Sequence, residues 1–222
     1  MKPVNQSSQA GAAVYSPLTL KLYDGWVLGI SNRFAWQCPT RKVLQPFFNR
    51  HVGARHLDVG VGTGYYLTNA NLPASTQVTL LDLNPSSLEA ARRRLGRPDT
   101  RVVQHDVFQP LSDEQVAVCD SISLFYLLHC LPGTMADKAV VFGNLKSRLA
   151  DNGVLFGATI LGEEANHNGF GGKLMAVYNK KGIFGNRNDT VAGLRSALAQ
   201  HFADVSVEVV GKVALFSARS VL

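Results

Sequence analysis

The sequence predicts an α/β fold built on a doubly wound, mostly parallel sheet. Short apolar runs alternate along the chain with segments of helical periodicity, which is typical of parallel strands joined by crossover helices. One of these runs, Arg55–Val59, is followed directly by three glycines spaced two apart, Gly60, Gly62 and Gly64. A strand that ends in a glycine-rich turn marks the edge of an open α/β sheet at which ligands bind.

Seven runs read as strands, and each is bounded by turn-forming residues. They are Arg55–Val59, Val78–Leu83, Arg101–Gln104, Asp120–Phe125, Val154–Leu161, Val205–Val210 and Val213–Ala218. The last two are joined by Gly211 and Lys212 alone, and a connection this short requires an antiparallel pair.

The segments between the strands carry helix signals. An apolar residue recurs about every four positions from Leu18 to Phe34, which indicates a first helix. Ser86 and Glu89 have the spacing of a capping box, and Thr134 is a suitable N-cap. Further helices are predicted near residues 39–48, 64–71, 134–149 and 190–201.

Length and composition predict one globular domain. The chain has 222 residues, of which 46% are hydrophobic and 17% charged. Residues 1–13 lack apolar periodicity and are predicted to be a flexible tail, so residues 14–222 form the domain. The sequence shows no signal peptide, membrane span or metal-ligand cluster, and its three cysteines fit a reducing compartment. We therefore expect a cytoplasmic protein without a metal.

The glycine spacing narrows the choice of cofactor. A dinucleotide fingerprint has its third glycine three positions after the second, but Tyr65 stands there and Gly64 comes one residue early. The pattern D-x-G-x-G-x-G, with Asp82 ending the next strand and Asp106 the one after it, instead resembles the class I S-adenosylmethionine-dependent methyltransferases. The resemblance runs from Arg55 to the C-terminus.

This resemblance implies a Rossmann-like sheet of seven strands with one antiparallel edge strand, residues 51–222, under a helical lid, residues 14–50. It also implies S-adenosylmethionine as the cofactor. The expected contacts are Asp58, Gly60, Val61, Gly62, Gly64, Asp82, Leu83, Asp106, Val107 and Phe125. Asp82 would accept from both ribose hydroxyls and Asp106 from the adenine amino group, while the glycine turn would face the methionine end.

Methyl transfer is a displacement at an activated carbon, so the main task of the enzyme is to align the nucleophile with the sulfonium. A base is needed only where the acceptor is protonated at working pH. His129, which follows the fourth strand, is the first candidate for a base or orienting group, and Tyr126 is the second. A lone histidine in an apolar stretch such as LLHCL is more often structural than catalytic.

The charge distribution suggests an acceptor with an anionic group. Residues 1–55 carry the whole net charge of +6, and the long connection at residues 162–188 is also basic. Both segments are expected to cover the pocket, because the resemblance places a lid before the glycine turn and long ordered loops are often functional. The candidate substrate residues are Tyr15, Tyr23, Arg33, Trp36, Lys173 and Lys181.

The predicted activity is methylation, most plausibly at oxygen, of a small-molecule metabolite by a monomer or homodimer. The sequence LFYLL after the fourth strand departs from the N/D-P-P-Y/F run of enzymes that methylate exocyclic or amide nitrogens, so a nucleic-acid partner is disfavoured. Two alternatives stay open at this point. One is methylation of RNA or protein, and the other is use of the bound cofactor without methyl transfer.

Overall fold

A computed structural model describes residues 24–220, and a seven-stranded sheet lies at its centre. The strands are β1 (Arg55–Val59), β2 (Gln77–Asp82), β3 (Arg101–Gln104), β4 (Cys119–Phe125), β5 (Leu149–Ile160), β6 (Asp204–Val210) and β7 (Val213–Arg219). Their order in the sheet is β3-β2-β1-β4-β5-β7-β6. Strands β1 to β5 pair in parallel, and β7 runs antiparallel to both of its neighbours.

Helices cover both faces of this sheet. They are α1 (Asp24–Ala35), α2 (Thr40–Leu44), α3 (Gln45–His51), α4 (Tyr65–Thr68), α5 (Pro85–Leu95), α6 (Met135–Lys146), α7 (Gly169–Lys180) and α8 (Val191–Ala199), with 3₁₀ turns at Leu128–Cys130 and Glu163–Ala165. Hydrogen bonds in α1 and α2 are of the π type. Buried side chains of α6 and α8 form one core cluster, and those of α1, α3, α5 and α7 belong to a second.

The predicted fold class is confirmed, with local differences. The reversed strand is β7, which lies one position inside the sheet edge because β6 pairs on its outer side. Strand β5 begins at Leu149 instead of Val154, and its register against β4 shifts between Cys119 and Ser121. The residues between Leu149 and Val154 are therefore an irregular start of the strand.

One predicted helix cap is wrong and another is confirmed. Asn84, not Ser86, caps α5, because its side chain accepts a hydrogen bond from the Ser86 backbone N–H. Glu89 instead forms ion pairs with arginines one turn further along the helix. Thr134 caps α6 in a capping box with Asp137, as both hydrogen bonds between cap and third residue are present.

Helices α1 and α7 pack against each other beside the carboxyl ends of the strands. The Trp26 indole nitrogen donates to the Tyr178 hydroxyl at 3.2 Å, and the Trp26 ring meets Phe170 edge to face. The Asn168 side chain donates to the Phe34 carbonyl at 2.8 Å. The basic connection at residues 162–188 is thus partly helical, since α7 occupies 12 of its residues. No helix within residues 24–220 is both long and apolar enough to cross a membrane.

Candidate active site

A crevice opens at the carboxyl ends of β1, β2 and β4, beside the residues that follow β3. It encloses about 1010 Å³, part of which is open to solvent. The residues that line it are Leu28, Asp58, Gly60, Val61, Gly62, Thr63, Tyr65, Tyr66, Asp82, Leu83, Ser87, His105, Asp106, Val107, Phe125, Tyr126, Leu127, Cys130 and Leu131. Nine of the ten residues predicted to contact the cofactor are among them. The tenth is Gly64.

The glycine turn follows β1 with left-handed backbone at each of its three glycines. Their φ angles are +73° at Gly60, +51° at Gly62 and +70° at Gly64, a region that L side chains rarely adopt. A Cβ at Gly64 would lie 3.0 Å from the Cα of Ala91, so this glycine lets α5 approach the turn. A Cβ at Gly62 would meet no protein atom within 4 Å, so its bare backbone is open to a ligand.

Asp82 ends β2 and is tied to the glycine turn. Its Oδ1 accepts from the Asn84 backbone N–H at 2.8 Å, and the N–H groups of Val61 and Gly62 also hydrogen bond to the carboxylate. Burial raises the pKa of Asp82 to about 6, against the opposing effect of these donors. A cation or hydroxyl donor in the crevice would favour the ionised form further.

Asp58 is the penultimate residue of the neighbouring strand β1 and lies deeper, almost fully buried. Its Oδ1 accepts a hydrogen bond from the Ser123 hydroxyl at 2.5 Å. Burial raises the pKa of Asp58 to about 6; the Ser123 hydrogen bond lowers it, and the charge of Asp82 adds to the increase. Two carboxyl groups on adjacent strands therefore share one end of the crevice.

A third carboxylate lies at the other side, after β3. The Asp106 side chain accepts from the Phe108 backbone N–H at 3.1 Å, which fixes the turn. Val107 is nearly buried, and its carbonyl accepts from Asn144 at 3.0 Å. Together with Leu83 and Phe125, Val107 supplies an apolar surface of the kind that a flat heterocycle requires.

The two candidate catalytic residues lie in different places. Tyr126 lines the crevice, where its backbone φ is +61°. His129 is not part of the lining; its Nδ1 accepts from the Ile160 backbone N–H at 3.3 Å, and Phe184 packs against its ring. Burial, aided by Lys138, lowers the pKa of His129 to about 3. This placement favours a structural role for His129.

The candidate substrate residues are not gathered at the crevice. Tyr15 and Tyr23 lie outside the described residues. Trp36 is buried against His167 and Phe184 and does not line the crevice. The remaining candidates are exposed and also lie outside the lining: Arg33, Lys173 and Lys181.

Sequence reasoning missed several residues of the crevice. Leu28 comes from α1, Tyr65 and Tyr66 from α4, and Leu131 from the segment after β4. They extend the crevice beyond the carboxylates with apolar and aromatic surface. Their contribution depends on how the helices pack on the sheet, and the only signal in the sequence was the aromatic pair directly after the glycine turn.

The lining has an informative charge composition. Among the described residues that form it, Asp58, Asp82 and Asp106 are acids, and none is a lysine or an arginine. Dinucleotides and nucleoside phosphates carry anions, for which such a surface offers no counter-charge. The fold and the crevice therefore define an α/β protein whose site suits a nucleoside with hydroxyl and amino donors, a cationic group and no phosphate.

Comparisons with known proteins agree with that class. A family model described as "Methyltransferase domain" matches residues 57–155. The chain is 44% identical over 211 residues to the "Physcion biosynthesis cluster O-methyltransferase" of Aspergillus chevalieri, covering 95% of each protein. It is 49% identical over 192 residues to the "Putative uncharacterized protein YbcY" of Escherichia coli (strain K12), covering 86% of this chain and 98% of YbcY.

Among solved structures, the chain superposes on the one titled "DhpI-SAH complex structure" with a TM-score of 0.66 at 16% identity, covering 96% of both chains. This likeness concerns the fold. The relatives and the family model establish the family: the chain belongs to the class I S-adenosylmethionine-dependent methyltransferases and is a methyltransferase.

Proposed function

We propose that this protein transfers a methyl group from S-adenosylmethionine to a hydroxyl oxygen of a small molecule. The observation that carries the cofactor assignment is the lining of the crevice, in which three carboxylates and an open glycine turn occur without a described lysine or arginine. S-adenosylmethionine has a sulfonium cation, an ammonium group, ribose hydroxyls and an adenine amino group, but no phosphate. The sulfonium, the ammonium, the ribose hydroxyls and the adenine amino group can each interact favourably with a carboxylate.

Different residues of the crevice bind different parts of the cofactor. The Asp82 carboxylate accepts from the ribose hydroxyls, and Asp106 accepts from the adenine amino group, with Val107 and Phe125 against the base. The bare backbone of the turn at Gly62 and the carboxylate of Asp58 receive the amino-acid end. The cofactor itself supplies the activated methyl group, so the protein acts by alignment and by excluding water.

The acceptor is proposed to be small and largely apolar. Leu28, Tyr65, Tyr66, Tyr126 and Leu131 continue the crevice beyond the carboxylates, and apolar and aromatic walls bind flat organic molecules well. Transfer to oxygen is supported by the relative that is named an O-methyltransferase and matches over 95% of both chains. Tyr126, which lines the crevice, is the residue that we propose orients the hydroxyl.

An anionic group on the acceptor would act only outside the crevice. Arg33, Lys173 and Lys181 are exposed and do not line it, so they can steer an anion by long-range attraction but not hold one at the reacting carbon. Steering between exposed charges weakens with salt. The expected signature is a kcat/KM for a carboxylated phenol that falls with ionic strength, next to a salt-independent value for its neutral analogue.

The test is transfer of isotope-labelled methyl from the cofactor to a panel of phenols, carboxylic acids and amines, with total RNA and denatured protein as separate acceptors. We expect label in the methyl ether of a phenol. Label confined to amines would overturn the choice of oxygen, and label in polymer would overturn the choice of a small molecule. Tight cofactor binding without label in any acceptor would favour use of the cofactor without methyl transfer.

A further inference from the structure

A chain of hydrogen bonds runs through the sheet below the crevice and ends on Asp58. His56 and Asp58 on β1 lie beside Ser121 and Ser123 on β4. Ser121 Oγ is 2.7 Å from His56 Nδ1, and Ser123 Oγ is 3.1 Å from His56 Nε2 and 2.5 Å from Asp58 Oδ1. At the far end, the Gly53 backbone N–H donates to Ser121 Oγ at 2.7 Å.

The donors and acceptors of this chain allow one direction while Asp58 is ionised. A carboxylate only accepts, so the Ser123 hydroxyl donates to it and must accept from His56 Nε2–H. The neutral ring then accepts a hydrogen bond at Nδ1 from the Ser121 hydroxyl. The oxygen of that hydroxyl in turn accepts a hydrogen bond from the Gly53 backbone N–H. Each hydrogen therefore points toward Asp58, and each member of the chain has its partner.

The surroundings keep the imidazole neutral. His56 is fully enclosed, with the rings of Phe48 and Phe156 against it. Burial lowers its pKa to about 3, against the opposing effect of a hydrogen bond to the Ser121 backbone. Asp82, on the neighbouring strand β2, raises the pKa of Asp58 further, because its negative charge disfavours a second negative charge close by. The hydrogen-bond chain opposes that effect, because hydrogen bonds to an ionised group are strong in a buried site.

We propose that His56, Ser121 and Ser123 are positioning residues that hold the Asp58 carboxylate ionised and directed at the crevice, so that it receives the cationic end of the cofactor. The proposal rests on the proposed function for the identity of the ligand. It assigns a task to a polar group that is otherwise unexplained inside a central strand. It also assigns the chain of hydrogen bonds a direction, which can be observed without any ligand.

The ligand-dependent experiment is the pH profile of S-adenosylmethionine binding, measured by calorimetry from pH 5.5 to 8.5. Ser123→Ala removes the hydroxyl that donates to Asp58, and loss of a hydrogen bond to a charged group weakens binding about tenfold near pH 6.5. The loss shrinks toward pH 8.5, where Asp58 is ionised in both proteins. Ser123→Thr keeps the hydroxyl and restores the wild-type profile.

Ser31→Ala is the matched control, since Ser31 is a buried serine of α1 whose hydroxyl makes no hydrogen bond in the described structure. Melting temperatures of all variants are recorded at each pH. An equal loss of affinity for Ser123→Ala at every pH, or the same profile as Ser31→Ala, would overturn the proposal. A wild-type protein that binds no cofactor at any pH would count against the proposed function instead.

The ligand-free experiment is nitrogen NMR of the His56 ring in the free wild-type protein. We expect the Nε2–H tautomer at pH 8, where Asp58 is ionised, and a ring that stays neutral down to pH 5.5. A ring that becomes protonated within this range, or the Nδ1–H tautomer at pH 8, would refute the inference, whatever the cofactor is. Ser121→Ala tests the far end and is expected to have a smaller effect on binding than Ser123→Ala.

Discussion

Replacing Lys138 by methionine should destabilise the protein strongly, although this residue lies outside the crevice. Lys138 on α6 and Asp189 before α8 form an ion pair at 2.7 Å with side-chain exposures of 0% and 1%. The Lys138 ammonium also donates to the Gly185 carbonyl at 2.9 Å. Asp189 Oδ1 is buried and has no further partner in the described structure. The lysine therefore compensates most of the carboxylate's lost hydration.

The expected magnitude follows from what the change leaves behind. Lys138→Met keeps the length and apolar stem of the side chain but leaves the Asp189 carboxylate buried without its cation and Gly185 without its donor. Breaking one side of a buried ion pair costs about 3–5 kcal/mol. In a domain of this size, that corresponds to a drop in Tm of about 6–20 °C. The double variant Lys138→Met, Asp189→Leu should recover to within about 2 kcal/mol of wild type, because no uncompensated charge remains.

The assay is urea unfolding followed by circular dichroism, with Tm from calorimetry. Lys42→Met, at an exposed lysine, is the control and should change the free energy of unfolding by less than about 0.5 kcal/mol. If Lys138→Met costs less than about 1 kcal/mol, the buried pair does not have the role described. A double variant as unstable as the single one would show that the cost comes from lost packing rather than from charge.

Three further predictions test the crevice and its surroundings. Asp82→Ala should abolish cofactor binding in calorimetry and leave the circular dichroism spectrum unchanged, whereas the control Asp99→Ala, at an exposed acid, should bind the cofactor normally. The affinity of the wild-type protein should also fall below pH 6, because protonated Asp82 loses its charge. An affinity independent of pH would contradict this role of Asp82. Gly64→Ala should lower the free energy of unfolding in urea by about 2–4 kcal/mol, because the alanine would be strained in left-handed backbone and would crowd α5. Gly62→Ala should lower it by only about 1–2 kcal/mol, because only the backbone strain applies there. Equal losses for the two variants would refute the close approach of α5 to Gly64. His129→Asn should lower Tm but keep kcat within about threefold, because a general base would instead be worth a factor of about 100 or more.

The strands and the three crevice acids could be predicted because their signals are local. Apolar runs such as β2 have few alternatives to a buried strand, and the carboxyl ends of parallel strands necessarily meet at one edge. Asp58, Asp82 and Asp106 lie at or just after the carboxyl ends of three strands, and all three line the crevice. The topology then brings together residues that are far apart in the chain.

What could not be predicted depends on register and packing. His56 and Ser123 are 67 positions apart and become neighbours only through the pairing of β1 with β4. Asn84 and Ser86 are both good N-caps, and the sequence alone does not decide between them. His129 is buried in the interior although Leu127 and Cys130 on either side of it line the crevice, and the sequence does not show which way each side chain points. The partnership of Lys138 with a distant acid leaves no local pattern at all.

The backbone of Tyr126 shows where this fold has little freedom to change. A tyrosine at φ +61° is less favourable than glycine by about 1–2 kcal/mol, a penalty that the surrounding sheet sustains. Glycine at position 126 would relieve the backbone strain but leave a gap in the crevice wall. A β-branched residue at this position would increase the backbone strain. Attempts to broaden the range of acceptors are therefore better directed at Leu28 or Leu131, whose side chains reach the same crevice from ordinary backbone.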